Sequence, residues 1–420
     1  MKRQLKKDLI TAIDERLNSA VAMCLETCSR CGICAEACHV FKSMPSPEYV
    51  PAARTEIIRK LYKRYFKLQG KLFPVLGEAG DLSDYSLNEI NNAAYSCTGC
   101  RRCMLYCPFG IDTQQIMAIA KLMLIVAKAE PEILTMLADV SISKGESIDM
   151  IKDGFIDGLK RLENEVIDKW KLEAGQIPIP TEVKNANILY VALAGAHSII
   201  PAAAVFNAAN ENWTLSFFEA VNFGAFVGNP AKTQLIMDRI VNEAKKLNVK
   251  NVCICECGTA FRVMNTMSGT LPFKVSSITQ VHARYIREGR IKLSKINKNE
   301  LVSYHDPCQI ARNGGIMDEP RMILHNLTDH FIDMSPKPED NYCCGGGGGL
   351  MAMGEDSHDF RMKSAKVKAD QIRKSGASIL VTACENCHSQ LSDLNEYYEL
   401  NLKVKFLSAM VADALIQEGK

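Results

Sequence analysis

The sequence has no long uninterrupted apolar run and no apolar segment near its start. Met1 to Leu9 is basic and polar, which disfavours a secretory signal. The most apolar segment is Ile188 to Phe206, but it contains His197, Ser198 and Pro201 among small alanines. This segment is better interpreted as a buried strand, a turn and the start of a helix than as a membrane span. We therefore expect the chain by itself to be soluble.

An excess of charge of either sign is also missing. The 420 residues carry a formal net charge of only +2, which argues against a general role in nucleic-acid binding. Two glycine motifs are absent as well, since no G-x-G-x-x-G follows a predicted strand and no Gly-Lys-Ser/Thr follows the glycine run Gly345 to Gly349. The sequence therefore predicts no site for FAD or NAD in this chain and no phosphate-binding loop.

Cysteine, in contrast, is abundant, with seventeen residues. Four of them form the run Cys28-x2-Cys31-x2-Cys34-x3-Cys38, and the same spacing recurs from Cys97 to Cys107, followed by Pro108. Zinc ribbons use two cysteine pairs rather than four cysteines in one short run, and disulfides are expected in secreted chains. Both alternatives are therefore disfavoured, and we expect metal-binding thiolates in a reducing, cytoplasmic compartment.

The spacing within each run is typical of a pair of cubane 4Fe-4S clusters. Three cysteines at i, i+3 and i+6 wrap one cube, while the fourth points away and binds the other cube. By this crossing rule, the two predicted ligand sets are Cys28, Cys31, Cys34 and Cys107 for the first cluster, and Cys97, Cys100, Cys103 and Cys38 for the second.

The first run departs from the usual pattern at one position. His39 follows Cys38, where proline normally restricts the backbone beyond the fourth ligand. An imidazole at this position can tune the cluster or make its potential depend on pH, but a plain solvent-facing histidine is the interpretation that we favour.

The remaining pattern divides the chain into five regions and predicts an α+β multidomain fold. A basic amphipathic segment (1–20) precedes a helical domain with the two cysteine runs (21–130) and a helical linker (131–187). Short apolar runs then alternate with helical patterns, which is the order of an α/β domain. This domain is internally similar, since VCICECGTAF at 252–261 resembles ILVTACENCH at 379–388. We therefore divide it into two halves, 188–298 and 299–420.

The segment Arg54 to Lys71 is rich in Lys and Arg interleaved with aromatic and aliphatic residues. One interpretation is a helix with a solvated basic face. The other is a surface that rests on an anionic membrane or on a membrane-embedded partner.

A third group of cysteines lies in the second half. Cys308 is followed by the pair Cys343-Cys344 and then by Cys384 and Cys387. This pattern resembles that of the CCG family of heterodisulfide reductase-like proteins. The resemblance implies that these five cysteines together hold a non-cubane 4Fe-4S cluster and that this cluster is the catalytic site.

Several other residues are candidates for the surroundings of this cluster. Gly345 and Gly346 let the main chain approach closely and donate amide hydrogen bonds. His305 and His388, beside the ligands, are either supporting groups or structural caps. In the first half, Gly195-Ala196-His197 stands where Gly-Cys is expected, so no second non-cubane cluster is predicted there. Cys257 either faces the cluster across a pseudo-twofold axis or is a small buried hydrophobe.

The helical domain is similar to the all-helical ferredoxin domain of succinate dehydrogenase and heterodisulfide reductase iron-sulfur subunits. Its fusion to a CCG domain resembles the D-type catalytic subunit of membrane-bound heterodisulfide reductase and the cytoplasmic iron-sulfur subunits of respiratory complexes in sulfate and sulfur metabolism. The resemblance implies a peripheral protein on the inner face of the cell membrane, partnered by an integral cytochrome b-type subunit and other subunits of the complex. It would exchange electrons between the quinone pool and a thiol/disulfide couple. The alternative is an electron-relay subunit of a flavin dehydrogenase of the glycolate or glycerol-3-phosphate type.

Overall fold

The computed structural model describes residues 3–170, 178–193, 195–296, 299–336 and 338–416. They form two compact units, each of which is discontinuous in sequence. Unit 1 comprises Met1–Leu137, Phe226–Pro230 and Tyr342–Asp370, and unit 2 comprises Ala138–Ala225, Ala231–Asn341 and Gln371–Lys420. The predicted linker 131–187 is described except for residues 171–177.

Helices make up most of the described chain. In chain order they are α1 Arg3–Asp14, α2 Ser19–Thr27, α3 Ile33–Ala37, α4 His39–Ser43, α5 Pro51–Phe66, α6 Leu68–Leu72, α7 Leu87–Tyr95, α8 Arg102–Tyr106, α9 Thr113–Ala127, α10 Glu132–Glu146, α11 Ile148–Trp170, α12 Ala196–Ala208, α13 Phe223–Val227, α14 Pro230–Leu247, α15 Gly258–Met267, α16 Ile278–Arg287, α17 Asp318–Leu327, α18 Glu355–Ser364, α19 Lys366–Ser375, α20 Glu385–Tyr397 and α21 Leu407–Asp413. The strands are β1 Ile188–Val191, β2 Trp213–Leu215, β3 Asn251–Ile254, β4 Lys274–Ser277, β5 Val302–His305, β6 Phe331–Asp333, β7 Ile379–Thr382 and β8 Lys403–Phe406.

Unit 1 is organised around the long apolar helix α9. The Asp112 side chain caps the start of this helix by accepting hydrogen bonds from the amides of Gln114 and Gln115, and Lys128 ends it in the left-handed conformation. Helix α1 packs against α9 with its buried residues Leu9 and Ile13. The apolar spacing in both segments therefore marks faces that are buried in the same core.

The basic segment forms α5 and α6, and its charges are not simply solvated. Arg54 and Arg59 are only 3% and 5% exposed. Arg59 pairs with Glu56 and Glu78, and Lys63 also reaches Glu78, with a nitrogen to oxygen distance of 2.8 Å. The interpretation of this segment as a solvated basic face is therefore wrong for the two buried arginines, because the helix turns them into the unit.

Unit 2 contains two parallel four-stranded sheets with the same internal order. The first has the order β2-β1-β3-β4, and the second has the order β6-β5-β7-β8. In each sheet the two central strands are buried along their whole length, which explains their continuous apolar runs. Strand β6 was not predicted, because its three residues are partly exposed and lack such a run.

The two α/β halves of unit 2 share one hydrophobic core. Helix α12 packs against α21, and α16 packs against α17. An antiparallel bridge between Leu293 and Leu415 joins the chain after α16 to the chain after α21. Ile188 to Phe206 forms β1 and most of α12, as predicted. Among the residues that the structure describes, no helix is both long and apolar enough to cross a membrane.

Candidate metal centres

The first three cysteines of the first run and the last cysteine of the second run line one cavity in unit 1. Its walls include Cys28, Cys31, Cys34 and Cys107, which is the first predicted ligand set. Arg30 and Gly32 have positive φ angles of 57° and 83°, so the loop curls between the cysteines before α3 begins. Cys31 is exposed at the rim of this cavity.

A second cavity in unit 1 is lined by the other predicted set, Cys38, Cys97, Cys100 and Cys103. Cys38 and Cys100 are buried, and burial raises the pKa of the Cys97 thiol to about 11. Thiols with such pKa values lose their protons when a metal binds them. Cys103 also contributes to the wall of the first cavity, so the two cavities are neighbours.

Arg54 provides a test of whether this second cavity suits an anionic cluster. Its Nη1 lies 3.7 Å from the Sγ of Cys38, while its Nε and Nη2 are buried without a hydrogen-bond partner. A buried cation without an anion is strongly unfavourable. The cavity walls therefore fit a thiolate-bound iron-sulfur cluster, which carries negative charge. No separate signal in the sequence distinguishes Arg54 from the other charges of its basic helix.

The expected solvent-facing position of His39 is wrong. His39 is the first residue of α4, and its side chain is only 2% exposed. One ring nitrogen of His39 and the Sγ atoms of Cys100 and Cys343 all lie within 4.8 Å of one another. His39 therefore lies close both to a cysteine of the second predicted cubane set and to a cysteine of the third group.

Cys343 and Cys344 belong to unit 1, where the glycine run packs against the second cysteine run. A Cβ atom on Gly347 would lie 2.6 Å from the carbonyl oxygen of Thr98, and one on Gly348 would lie 2.6 Å from that of Cys97. The Nζ of Lys121 donates to the Gly348 carbonyl at 2.7 Å, which holds the run in place. The run is thus required for a close backbone contact.

Gly345 has the amide role predicted for the glycine run, because its N–H donates to the Sγ of Cys343 at 3.4 Å. Gly346 lies in the same buried stretch, and its carbonyl accepts the amide of Met351. The amide of Gly345 thus reaches Cys343, while the role of Gly345 and Gly346 beside a cluster stays a prediction.

Unit 2 carries the other three cysteines of the third group, Cys308, Cys384 and Cys387. Cys384 precedes α20, and a hydrogen bond from Cys387, together with backbone amides that include that of Gly258, lowers its pKa to about 7. Cys257 is buried, and burial together with the nearby Cys384 raises its pKa to about 12. Cys257 therefore lies near Cys384. Cys253, in β3, and Cys255, just after it, are fully buried.

The histidines of unit 2 have different surroundings. His305 is fully buried, and its Nδ1 lies 3.4 Å from the amide nitrogen of Asn341. His388 stacks on Phe406 with 4.0 Å between ring centroids, and His197 stacks on Phe406 at 5.4 Å. His197 also contacts Glu385 at 2.9 Å, and this bond raises the histidine pKa. Sequence reasoning noted His197 only as a replaced cysteine and missed this pairing.

A cavity of about 600 Å³ in unit 2 opens at the carboxyl ends of β1 and β2. Leu193, Phe217 and Arg239 line it, together with Gly195 and Ala196. The last two residues belong to the stretch Gly195-Ala196-His197, which stands where Gly-Cys was expected in the first half and carries no thiol.

Comparisons with known proteins agree with the division of these cysteines between a region with the two four-cysteine runs and a region with the third group. Residues 24–111 match the family of 4Fe-4S dicluster domains, and residues 302–392 match the CCG family, described as a cysteine-rich domain. The first range contains both four-cysteine runs, and the second contains Cys308, Cys343, Cys344, Cys384 and Cys387.

Several curated proteins are similar to this chain over most of its length. The chain is 29% identical to the Hdr-like menaquinol oxidoreductase iron-sulfur subunit 2 of Archaeoglobus fulgidus, over 95% of this chain and 81% of the relative. It is 26% identical to a subunit of the dihydromethanophenazine:CoB–CoM heterodisulfide reductase of Methanosarcina barkeri, over 96% of both chains. FadF of Bacillus subtilis, a probable iron-sulfur-binding oxidoreductase, is 24% identical over 78% of this chain and 48% of its own length.

These matches define an iron-sulfur electron-transfer protein of the oxidoreductase type, with a 4Fe-4S domain and a CCG cysteine-rich domain. The predicted resemblance to heterodisulfide reductase-like iron-sulfur proteins is thereby confirmed.

The ligand sets predict a crossed pattern of cluster loss. Cys34→Ser and Cys107→Ser should remove the same cubane signal from the electron paramagnetic resonance (EPR) spectrum of the reduced protein, because both line the first cavity. Cys38→Ser and Cys100→Ser should remove the other signal. Cys24→Ser, at a buried cysteine outside both sets, is the control and should keep both signals. Shared loss by Cys100→Ser and Cys107→Ser would contradict the crossing.

The close contact of Gly348 predicts a loss of stability on substitution. Gly348→Ala and Gly354→Ala both place a side chain at positive φ, 72° and 58°, at a common cost of roughly 1–2 kcal/mol. Only at Gly348 does the new Cβ meet backbone, whereas nothing lies within 4 Å at Gly354. The clash should lower the free energy of unfolding by about 1–3 kcal/mol more for Gly348→Ala. Equal Tm values for the two variants would show that the backbone at Gly348 can move away from the Cys97 carbonyl group at no cost in stability.

Proposed function

We propose that this chain is the iron-sulfur subunit of a membrane-bound respiratory redox complex, on its cytoplasmic face. It transfers electrons between a membrane cytochrome b/quinone pool and a thiol/disulfide couple. Two cubane clusters, held by the crossed sets described above, conduct the electrons. Cys308, Cys343, Cys344, Cys384 and Cys387 hold a non-cubane 4Fe-4S cluster, which supplies the redox chemistry at sulfur when it is bound.

One observation carries this proposal, namely the contact of Cys100 with Cys343 through His39. A ligand of the predicted second cubane and a cysteine of the third group lie within 4.8 Å, inside one compact unit. Electron transfer between two centres depends on such proximity. The short distance between the second predicted cubane site and Cys343 therefore supports a path along which electrons pass from the cubane clusters to the third group of cysteines.

The residues of unit 2 support chemistry at sulfur. The lowered pKa of Cys384 makes this thiol the most readily ionised of the cysteines for which a shift is resolved. Opening a disulfide takes two electrons and leaves two thiolates that need protons. The His197–Glu385 pair is partly exposed and adjoins Cys384 in sequence through Glu385, so it supplies a candidate proton donor beside the ligands.

We also propose the region boundaries and the internal duplication predicted from sequence. The identical strand orders of the two sheets support a duplication of the α/β part, with Cys257 contributed by the first half. The relatives named as parts of an Hdr-like menaquinol oxidoreductase and a heterodisulfide reductase support a multi-subunit complex.

The alternative function, a relay without chemistry at sulfur, is favoured by a shorter match to an EtfAB:quinone oxidoreductase of Syntrophomonas wolfei. In that case electrons pass from a flavoprotein to quinone. Reaction with a disulfide separates the two functions.

The test uses anaerobically purified full-length protein, which should contain about twelve irons from three four-iron clusters. After reduction by dithionite and removal of excess reductant, glutathione disulfide or a cyclic dicysteine peptide should reoxidise the cubanes. Cys344→Ser should lose about one third of the iron, keep reducible cubanes and no longer react with the disulfide. Cys24→Ser is the matched control and should behave as the unchanged protein.

Reoxidation by a quinone analogue but by neither disulfide, with twelve irons present, would favour the relay function. Disulfide reactivity that survives in Cys344→Ser would place the chemistry elsewhere.

The segment after α5 supports attachment to the membrane or to an integral partner. Five large apolar side chains here are between 59% and 91% exposed: Leu68, Leu72, Phe73, Val75 and Leu76. The neighbouring cations are already paired within unit 1, since Arg64 contacts Asp81 and Lys67 contacts Glu26. We therefore assign the attachment mainly to apolar contacts and not to the basic face.

The combined variant Leu72→Ser, Val75→Ser and Leu76→Ser should release the protein from native membranes in a sedimentation assay. Each fully buried large apolar side chain contributes about 1.5–3 kcal/mol, and these exposed side chains lie outside the core of the unit, so their loss should not unfold it. Lys63→Gln combined with Lys67→Gln is the control and should remain bound. Release by high salt alone would show instead that the attachment is electrostatic.

A further inference from the structure

The two candidate cubane sites differ in the charges around them. Arg54 is buried beside the second site, with one nitrogen 3.7 Å from the Sγ of Cys38. Its other two guanidinium nitrogens have no hydrogen-bond partner. Among the residues that the structure describes, no carboxylate pairs with it.

Arg59 on the same helix shows how this unit normally neutralises a buried guanidinium. It is 5% exposed, close to the 3% of Arg54, but it donates to the carboxylates of Glu56 and Glu78. Burial of an unpaired charge is strongly unfavourable. Arg54 therefore requires an anion that the protein part of the site does not supply.

A cubane cluster with four thiolate ligands meets that requirement. It is a dianion when oxidised and becomes a trianion when it accepts one electron. A buried cation nearby favours the more negative state and so raises the reduction potential. The same charge already acts on the thiols of the site, since burial raises the pKa of Cys97 and Arg54 opposes that rise.

His39 acts on the same site. It is 2% exposed and lies within 4.8 Å of the Sγ atoms of both Cys100 and Cys343. Cys343 and burial raise the pKa of the Cys100 thiol overall, and the hydrogen bond from His39 opposes them by favouring the thiolate.

Among the described residues that line the first site, no cation is buried in a comparable way. The cation in its wall is Arg30, whose guanidinium is exposed and pairs with Glu56 and Glu78. Its charge is thus balanced within the protein, and water screens what remains.

We propose that Arg54 and His39 are positioning residues that hold the second cubane at a higher reduction potential than it would otherwise have. An electron entering the pair then resides preferentially on the cluster beside Cys343. This inference deepens the proposed function and rests on it only in assuming that the two cysteine sets hold cubane clusters.

The test is an EPR-monitored redox titration of full-length protein with the variant Arg54→Met. This variant keeps most of the side-chain volume but removes the charge and the donors. In Arg54→Met, the ratio of reduced to oxidised second cluster, measured at the wild-type midpoint potential, should fall roughly tenfold. This change corresponds to the loss of one charge-assisted hydrogen bond. The midpoint of the first cluster should not change. Cys38→Ser identifies the affected signal by removing it.

Arg59→Met is the matched control, since it removes a buried guanidinium from the same helix and should leave both midpoints unchanged. Arg54→Lys should shift the second cluster by less than Arg54→Met, and His39→Phe should shift the same cluster in the same direction. An unchanged midpoint in Arg54→Met with full iron content overturns the proposal, as does a shift of the first cluster. If Arg54→Met fails to retain the cluster, the midpoints of Arg54→Lys and His39→Phe are used instead. A lowered midpoint of the second cluster supports the proposal, and an unchanged midpoint overturns it.

No disulfide or quinone takes part in this measurement. A protein that shows the predicted shift but never reacts with disulfides would keep this inference and refute the proposed chemistry. A protein that reacts with disulfides but shows no shift would keep the proposed chemistry and refute this inference.

Discussion

The close backbone contact between the glycine run and the second cysteine run is the constraint on which the candidate site depends. Gly347 and Gly348 lie against the carbonyl groups of Thr98 and Cys97 at distances that no side chain permits. Lys121 holds this contact from behind, because its ammonium group donates to the carbonyls of Gly348 and Phe226. The contact brings Cys343 next to Cys100, and it gathers segments from three distant parts of the sequence into unit 1.

Burial of charge is distributed unevenly within this unit. Lys121 is satisfied by carbonyl oxygens and lies over the ring of Tyr95, and burial lowers its pKa to about 8. Arg59 is satisfied by carboxylates. Among these three cations, only Arg54 has guanidinium nitrogens without a hydrogen-bond partner, and its Nη1 lies 3.7 Å from the Sγ of Cys38. The same physical cost, removal of a cation from water, is thus offset in two different ways for Lys121 and Arg59, and at Arg54 no protein anion offsets it.

Unit 2 uses its parallel sheets to present groups at strand ends. Cys257 and Cys384 each follow a buried central strand, β3 or β7, and each precedes a helix. The amide of Gly258, at the start of α15, helps to lower the pKa of Cys384. Glu256 is buried between them, and burial raises its pKa to about 8, while its carbonyl accepts the amide of Glu385. The half without the full cysteine set therefore still contacts Cys384 and Glu385 of the other half.

The sequence by itself determined the chemistry of the candidate sites. Spacings such as that of Cys28, Cys31 and Cys34 are local, so the short loop that they form follows from the chain geometry alone. Most strands of unit 2 were also predictable, because a fully buried parallel strand has a continuous apolar run. Only the tertiary structure decided that Arg54 and His39 are buried beside thiols, that Tyr342–Asp370 packs within unit 1, and that His197 pairs with Glu385. These features depend on contacts between residues far apart in the chain, and a basic or imidazole side chain has the same local pattern whether it faces water or a buried ligand.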